Sequence, residues 1–333
     1  MSHKQYIQRC IEIGTFGLGT TAPNPMVGCV IVHNHKIIGE GYTSPYGGSH
    51  AEVNAINAVE DKLLLSESTL YVTLEPCSHF GKTPPCSDLI IKYKIPNVVI
   101  GTMDTHSKVA GNGIASLQNK NVNITVGVLE DACKMHHKRF FTYHNKQRPY
   151  IILKWAQTLD GYVAPIEKIK KEPVWITNEI SRQLVHKWRA EEQAILVGNK
   201  TVMEDNPSLT VRDWTGNNPI RIIIDSSNKL SKSYAIFDNE AETILITADD
   251  ITSDENATKQ ICDNLFRRQI NSVIIEGGAQ TIQSFIDTNL WDEARVFTGN
   301  IKFGNGIKAP EFSGRITSEQ LIFEDQLKIF NND

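Results

Sequence analysis

TLEPCSHFGKTPPC, residues 73–86, places two cysteines, a histidine and three prolines within a short stretch. It overlaps the end of TLYVTL (69–74), a β-branched, apolar run that reads as a buried strand. The alternation of strands and helices around it argues an α/β layered domain. The other four of the six cysteines, Cys10, Cys29, Cys133 and Cys262, lie among apolar neighbours and read as small core residues. In a reducing compartment a concentrated pair is more often a metal site than a disulfide.

The surrounding chain has the composition of a soluble globular protein. Its 333 residues favour two domains, and 40% apolar with 22% charged residues is ordinary globular composition. A net charge of −4 argues against a broad nucleic-acid-binding surface. MSHKQYIQRC lacks the apolar core of a signal peptide, and no run approaches the ~18 apolar residues that cross a bilayer. The expectation is a cytoplasmic protein with no membrane and no nucleic-acid partner.

Working outward, Tyr6, Ile7, Cys10 and Ile13 share a helical face over 5–13. Strands are expected at 26–32 and 36–41, joined by Asn34-His35, with further strands at 97–101 and 122–128. GGSHAEVNAINAVE reads as a loop, a Ser49 cap and a helix. PCSDLIIKY reads as another helix, and 129–145 as one long polar helix stopped by Pro149. The boundary falls near Gln147, giving domains 1–147 and 148–333. The second alternates strands at 150–154, 194–198, 220–225, 243–247, 272–276 and 294–298 with helices at 178–190, 256–268 and 279–288. Both halves are α/β.

Zinc takes sulfur and imidazole ligands, and a catalytic zinc keeps one position for water. Cys77 and Cys86 each stand beside a proline at an expected helix start, where a thiol pKa falls. His50 is the candidate third ligand. At a helix start the first residue is not yet helical, so His50 and Glu52 can converge, although residues two apart diverge within a helix. That suits a zinc deaminase, in which a carboxylate that does not bind the metal moves the proton. Alternatives stand beside this reading. The cysteines could be plain core residues and His50 a capping histidine. His79 could close a structural zinc site, or the chain could be a nucleotide- or RNA-binding protein.

Together, NPMVGCVI, HAEVNAI and TLEPCSHFGKTPPC resemble the bifunctional riboflavin-biosynthesis deaminase/reductase family, over nearly the whole chain. The resemblance implies a cytidine-deaminase-like three-layer domain followed by a dihydrofolate-reductase-like domain. It implies hydrolytic deamination of a 2,5-diamino-6-(phosphoribosylamino)pyrimidinone, with His50, Cys77 and Cys86 on Zn2+ and Glu52 as proton shuttle. Asn24, His79, Lys82 and Thr83 fall where the family holds its pyrimidine and phosphate. MDTHSKVAGNG (103–113) keeps Asp104, Gly111 and Gly113 but lacks the Asn-Pro that many relatives carry after the Asp.

In the second half, ILKWAQTLDG, LVGNKTVMEDNPSLTVR and VIIEGGAQTIQSF resemble the same family's reductase. There is no GxGxxG here. A strand, Gly277-Gly278 and a helix N-terminus offer an alternative phosphate cradle. The resemblance implies NADPH reduction of the ribosyl group. Ala156, Trp175, Thr201, Asp205, Gly278, Ala279, Gln280, Thr281, Ile282, Gln283 and Ser284 would line the cofactor. Arg189, Leu209, Arg212 and Glu276 would face the substrate, and Lys154 and Asp160 sit in family motifs. It further implies a homo-oligomer assembled through this half.

Overall fold

The computed structural model describes residues 2–78, 80, 84–105, 111–167, 173–251 and 256–332. The chain forms two compact units, Met1–Gln147 and Arg148–Asp333.

In the first unit α1 (His3–Gly14) precedes a hairpin of β1 (Gly28–His33) and β2 (Lys36–Tyr42). Asn34 and His35 close it at φ 46° and 64°, the paired left-handed conformations that match strand twist in a tight hairpin. Next come α2 (Ala51–Ala58), β3 (Thr69–Leu74), α3 (Cys86–Lys92), β4 (Asn97–Thr102), α4 (Asn112–Gln118) and β5 (Asn123–Val126), then α5 (Glu130–His136) and α6 (Lys138–Lys146). The sheet order is β2-β1-β3-β4-β5, with β3, β4 and β5 parallel.

Alternating side chains divide this unit into three layers. Cys29, Ile31, Val72, Val98 and Ile100 pack with Ala55 and Ile56 of α2, Ile90 of α3 and Leu117 of α4. Val30, Tyr71 and Val99 face the other way, onto Tyr6, Ile7 and Cys10 of α1 and Cys133 of α5. Gly39 and Gly41 of β2 have no side chains, and the α2 backbone occupies that space: an added Cβ at Gly41 would run into Ala51 and Ala55. Helix α2, which carries Glu52 behind His50, is therefore seated directly on the sheet.

The expected single helix over 129–145 is two helices. Leu129 is left-handed at φ 55°, and the chain breaks at His137. The helix is not polar throughout, because His136 and His137 are buried. His136 Nε2 lies 2.7 Å from the Met26 carbonyl and His137 Nε2 3.0 Å from Thr73 Oγ1. Helix α4 was not anticipated.

The second unit comprises β6 (Tyr150–Thr158), β7 (Tyr162–Ala164), α7 (Glu179–Glu191), β8 (Ala194–Gly198), α8 (Asn199–Asp205), β9 (Ile220–Ile224), β10 (Thr243–Ile246), α9 (Ala257–Arg267), β11 (Ser272–Ile275), α10 (Ala279–Asp287), β12 (Glu293–Gly299), β13 (Ile307–Lys308), β14 (Arg315–Ile322) and β15 (Asp325–Asn331). Its main sheet runs β10-β9-β8-β11-β6-β12-β15-β14, parallel from β10 to β12 and antiparallel thereafter. Ile151, Leu153, Val273 and Ile275 face Ile261 and Leu265 of α9 and Phe285 of α10. Ile152, Ile274 and Phe297 face Val185 and Trp188 of α7. The β14–β15 hairpin had no counterpart in the sequence reading: β14 is exposed along almost its whole length, so it shows no apolar alternation. Among the described residues, no helix is long and apolar enough to cross a membrane.

Candidate active sites

His50 is itself the N-cap of α2, extended at φ −71° and ψ 160°, in place of the expected Ser49. Its ring makes no capping bond and instead turns toward the end of β3. There Nδ1 lies 3.5 Å from Cys77 Sγ and 3.3 Å from Cys86 Sγ, and the three donor atoms lie within 4.8 Å of one another. Cys86 opens α3 after the Pro85 cap, as expected. Cys77 is not at a helix start. It follows β3 in irregular chain, and its sulfur accepts the Cys86 N–H at 3.3 Å, so one helix terminus serves both thiols.

The site concentrates proton traffic. The Cys77 thiol is pulled down to about 4, first by its hydrogen bond with Cys86 and then by His50, against burial. Cys86 is pushed up by that same contact and by burial. His50 rises to about 8 through its bond to Cys77. Glu52 is only 4% exposed, and burial, reinforced by Cys77, raises its carboxyl to about 7. A neutral-range carboxyl beside an S2N donor set can both take up and release a proton.

The donor set fits zinc. Tetrahedral bonds of about 2.3 Å to sulfur and 2.0 Å to nitrogen set S···N edges of about 3.5 Å, close to the 3.5 and 3.3 Å seen. Asn24 lies half-buried in the segment before β1, its amide bonded to Thr21. Asp104 is buried beyond β4, and its amide donates to Glu75. His79, Lys82 and Thr83 lie outside the described residues. Glu75 escaped the sequence reading, although a carboxylate between an apolar strand and Pro76 is itself a signal.

In the second unit a cleft of about 880 Å³ opens at the ends of β8 and β11. Lys154, Ala156, Trp175, Thr201 and Asp205 line it, as do Arg189, Leu209, Arg212, Glu276 and Gly278 through Ile282. Gly277 and Gly278 adopt φ 129° and 60°, and an added Cβ at Gly277 would meet Thr201 Oγ1 at 3.0 Å. This bare turn lets a ligand approach the start of α10. Glu276 accepts from Arg189 Nε at 3.4 Å and Nη2 at 2.8 Å. Burial alone would raise its carboxyl, but Arg189 and Lys154 bring it down to about 2. Burial lowers Lys154. Arg212 donates to the Ser208 hydroxyl, and its amide donates to His186 Nδ1 at 3.2 Å. His186, also missed, lines the cleft one helical turn before Arg189.

Three expected residues lie off this cleft. Gln283 exchanges hydrogen bonds with the Glu311 backbone at 3.1 and 2.9 Å. Ser284 bonds back to the Thr281 carbonyl within α10. Asp160 sits in an exposed turn and accepts the amides of Phe303 and Gly304.

Residues 1–102 match the cytidine and deoxycytidylate deaminase zinc-binding region, and residues 149–326 match the RibD C-terminal domain. The riboflavin biosynthesis protein RibD of Aquifex aeolicus is 38% identical over 96% of this chain and 92% of its own. That of Actinobacillus pleuropneumoniae is 37% identical over 87% and 81%. A solved diaminohydroxyphosphoribosylaminopyrimidine deaminase/5-amino-6-(5-phosphoribosylamino)uracil reductase from Thermotoga maritima superposes with TM-score 0.90 at 35% identity, covering 99% of both chains. Acinetobacter baumannii RibD gives 0.89 at 30%, also over 99% of both. The two folds are thus those expected, deaminase-like and dihydrofolate-reductase-like. The chain belongs to the RibD family of bifunctional riboflavin biosynthesis proteins.

Proposed function

We propose that this chain carries out two consecutive steps of riboflavin biosynthesis in the cytoplasm. The first unit hydrolyses 2,5-diamino-6-(5-phosphoribosylamino)pyrimidin-4(3H)-one to 5-amino-6-(5-phosphoribosylamino)uracil. The second reduces the ribosyl group to the ribitylamino product with NADPH. What carries the reading is the convergence of His50, Cys77 and Cys86 beside buried Glu52.

His50 and the two sulfurs would hold Zn2+, which supplies an acidified water when bound. Glu52 would take up a proton from the attacking water and deliver one to the departing amine while the adjacent ring nitrogen gains the other, so the C–N bond breaks as the carbonyl forms and ammonia leaves. Its raised carboxyl suits both transfers. In the second unit the Gly277-Gly278 turn receives the cofactor phosphates at the start of α10. Arg212 recognises the ribose phosphate, while Arg189 holds Glu276 charged against the substrate. Lys154, half-buried in the cleft beside Glu276, orients the reacting end of the ribosyl group.

A homo-oligomer through the second unit completes the proposal. Edge strand β14 is open along its length, and Leu321 within it and Phe323 just past it are 74% and 75% exposed. A monomer in sedimentation at micromolar concentration would contradict this.

The catalytic test is direct. Protein given the diaminopyrimidine should release ammonia without NADPH and then oxidise NADPH on its addition. Ammonia without NADPH oxidation removes the reductase assignment, and zinc-loaded protein that releases no ammonia removes the deaminase assignment.

A further inference from the structure

The first unit buries a second carboxylate that the deaminase chemistry leaves unused. Glu75 is 4% exposed and follows β3, two residues before Cys77. One oxygen, Oε2, accepts the amides of Asp104 at 3.3 Å and Gly111 at 3.1 Å. The other, Oε1, accepts Gly113 at 2.9 Å and Ile114 at 3.2 Å. Its own amide donates to the Thr102 carbonyl at 3.0 Å, extending the β3–β4 pairing by one rung. With two donors on each oxygen, the acceptor positions of this carboxylate are taken up by backbone amides.

The glycines of the same stretch fit the clamp. Gly111 is left-handed at φ 77°, which turns its amide and that of Gly113 toward one carboxylate. A Cβ on Gly113 would occupy the position of the Pro76 carbonyl oxygen. Backbone at Gly113 and backbone at Pro76 therefore touch without any side chain between them. Cys77 is then secured from both directions: the clamp holds the residues before it, and its sulfur and carbonyl receive the amides of Cys86 and Ser87.

We propose that Glu75 is a positioning residue of the deaminase: by gathering the amides of Asp104, Gly111, Gly113 and Ile114 it sets Cys77 within the zinc-binding triad and sets Asp104 relative to it. The inference rests on the deaminase reading. It gives Gly111 and Gly113 a role although the neighbouring Asn-Pro of relatives is missing. A backbone-gathering carboxylate needs amide geometry rather than particular side chains at the positions it binds.

The test uses the full chain and two variants. Glu75→Gln keeps the shape but removes the charge and replaces one doubly accepting oxygen with a donor. Outer partners of metal ligands typically change metal retention on the order of 10-fold to 100-fold. Zinc should therefore pass to a competing chelator faster by about that factor. Amide exchange at Gly111, Gly113 and Ile114 should quicken by at least about tenfold. Deaminase kcat/KM, measured with excess zinc, should fall about tenfold and chiefly through KM. Reductase constants on the deaminated intermediate should not change, which shows that the chain is folded. Gly113→Ala wedges the same contact open with Glu75 intact and should shift chelator release in the same direction. The proposal is overturned if zinc release and amide exchange in Glu75→Gln match the parent protein. It is equally overturned if Gly113→Ala is silent while Glu75→Gln is impaired, or if reductase activity falls in parallel. A parent protein that retains zinc but releases no ammonia would instead defeat the deaminase reading, leaving the chelator and exchange results to judge Glu75.

Discussion

Replacing Arg189 with Met keeps an aliphatic stem of similar length and removes the charge that faces Glu276. The Arg189 and Glu276 side chains are 11% and 10% exposed and meet at 2.8 Å. Arg189 is the strongest influence holding Glu276 at about 2 instead of its ordinary 4.5. A depression of that size corresponds to about 3 kcal/mol at neutral pH. Breaking a buried pair on one side gives a similar figure, about 3–5 kcal/mol. A depressed carboxyl contributes stability above its unfolded value and loses it as pH falls toward the folded value. The deficit of Arg189→Met should thus be full at pH 7 and shrink between pH 4.5 and about 2. All five tryptophans, Trp155, Trp175, Trp188, Trp214 and Trp291, lie in the second unit, so urea unfolding followed by their fluorescence reads that unit alone. A deficit below about 1 kcal/mol at neutral pH, or one that grows in acid, would refute the reasoning.

Three further outcomes are expected. Glu52→Gln should bind one zinc per chain and lose ammonia release by about 10²–10⁴-fold, checked by metal analysis beside an ammonia assay; loss of zinc with activity would mean that Glu52 is a ligand. Stripping the metal with a chelator should abolish ammonia release and leave NADPH oxidation on the deaminated intermediate intact, because every donor of the triad lies in the first unit. Gln283→Ala should leave the KM for NADPH within about twofold, since the side chain holds the Glu311 backbone rather than the cleft; a tenfold rise would return Gln283 to the cofactor site.

The legible part of the molecule was the part written in side-chain chemistry. Two Pro-Cys pairs after a buried strand, with a histidine and glutamate at a helix start, specify a donor set that few other arrangements use. The hairpin at Asn34-His35 and the parallel strands were readable from turn residues and β-branched runs. Glu75 was not, because its partners are amides, which every residue carries. The break at His137 was hidden because histidine looks polar until Met26 takes the His136 ring, and Thr73 the His137 ring, into the interior. The motif AQTIQSF could not separate Gln280, which lines the cleft, from Gln283, which does not, since a motif names positions without saying which face of the helix they occupy. Strand β14 left no trace because an exposed edge needs no apolar period.

The seating of α2 on Gly39 and Gly41 has a mechanical consequence. His50 and Glu52 belong to one short rigid rod resting on bare backbone, whereas both sulfurs arrive on a separate stretch of chain. Thickening the strand at either glycine would lift base and imidazole together and preserve the distance between them. What would open is the gap to the thiolates. The grip on the metal can therefore be adjusted from β2, through the backbone contact of Gly41 with Ala51 and Ala55, while the spacing between ligand and proton carrier travels unchanged.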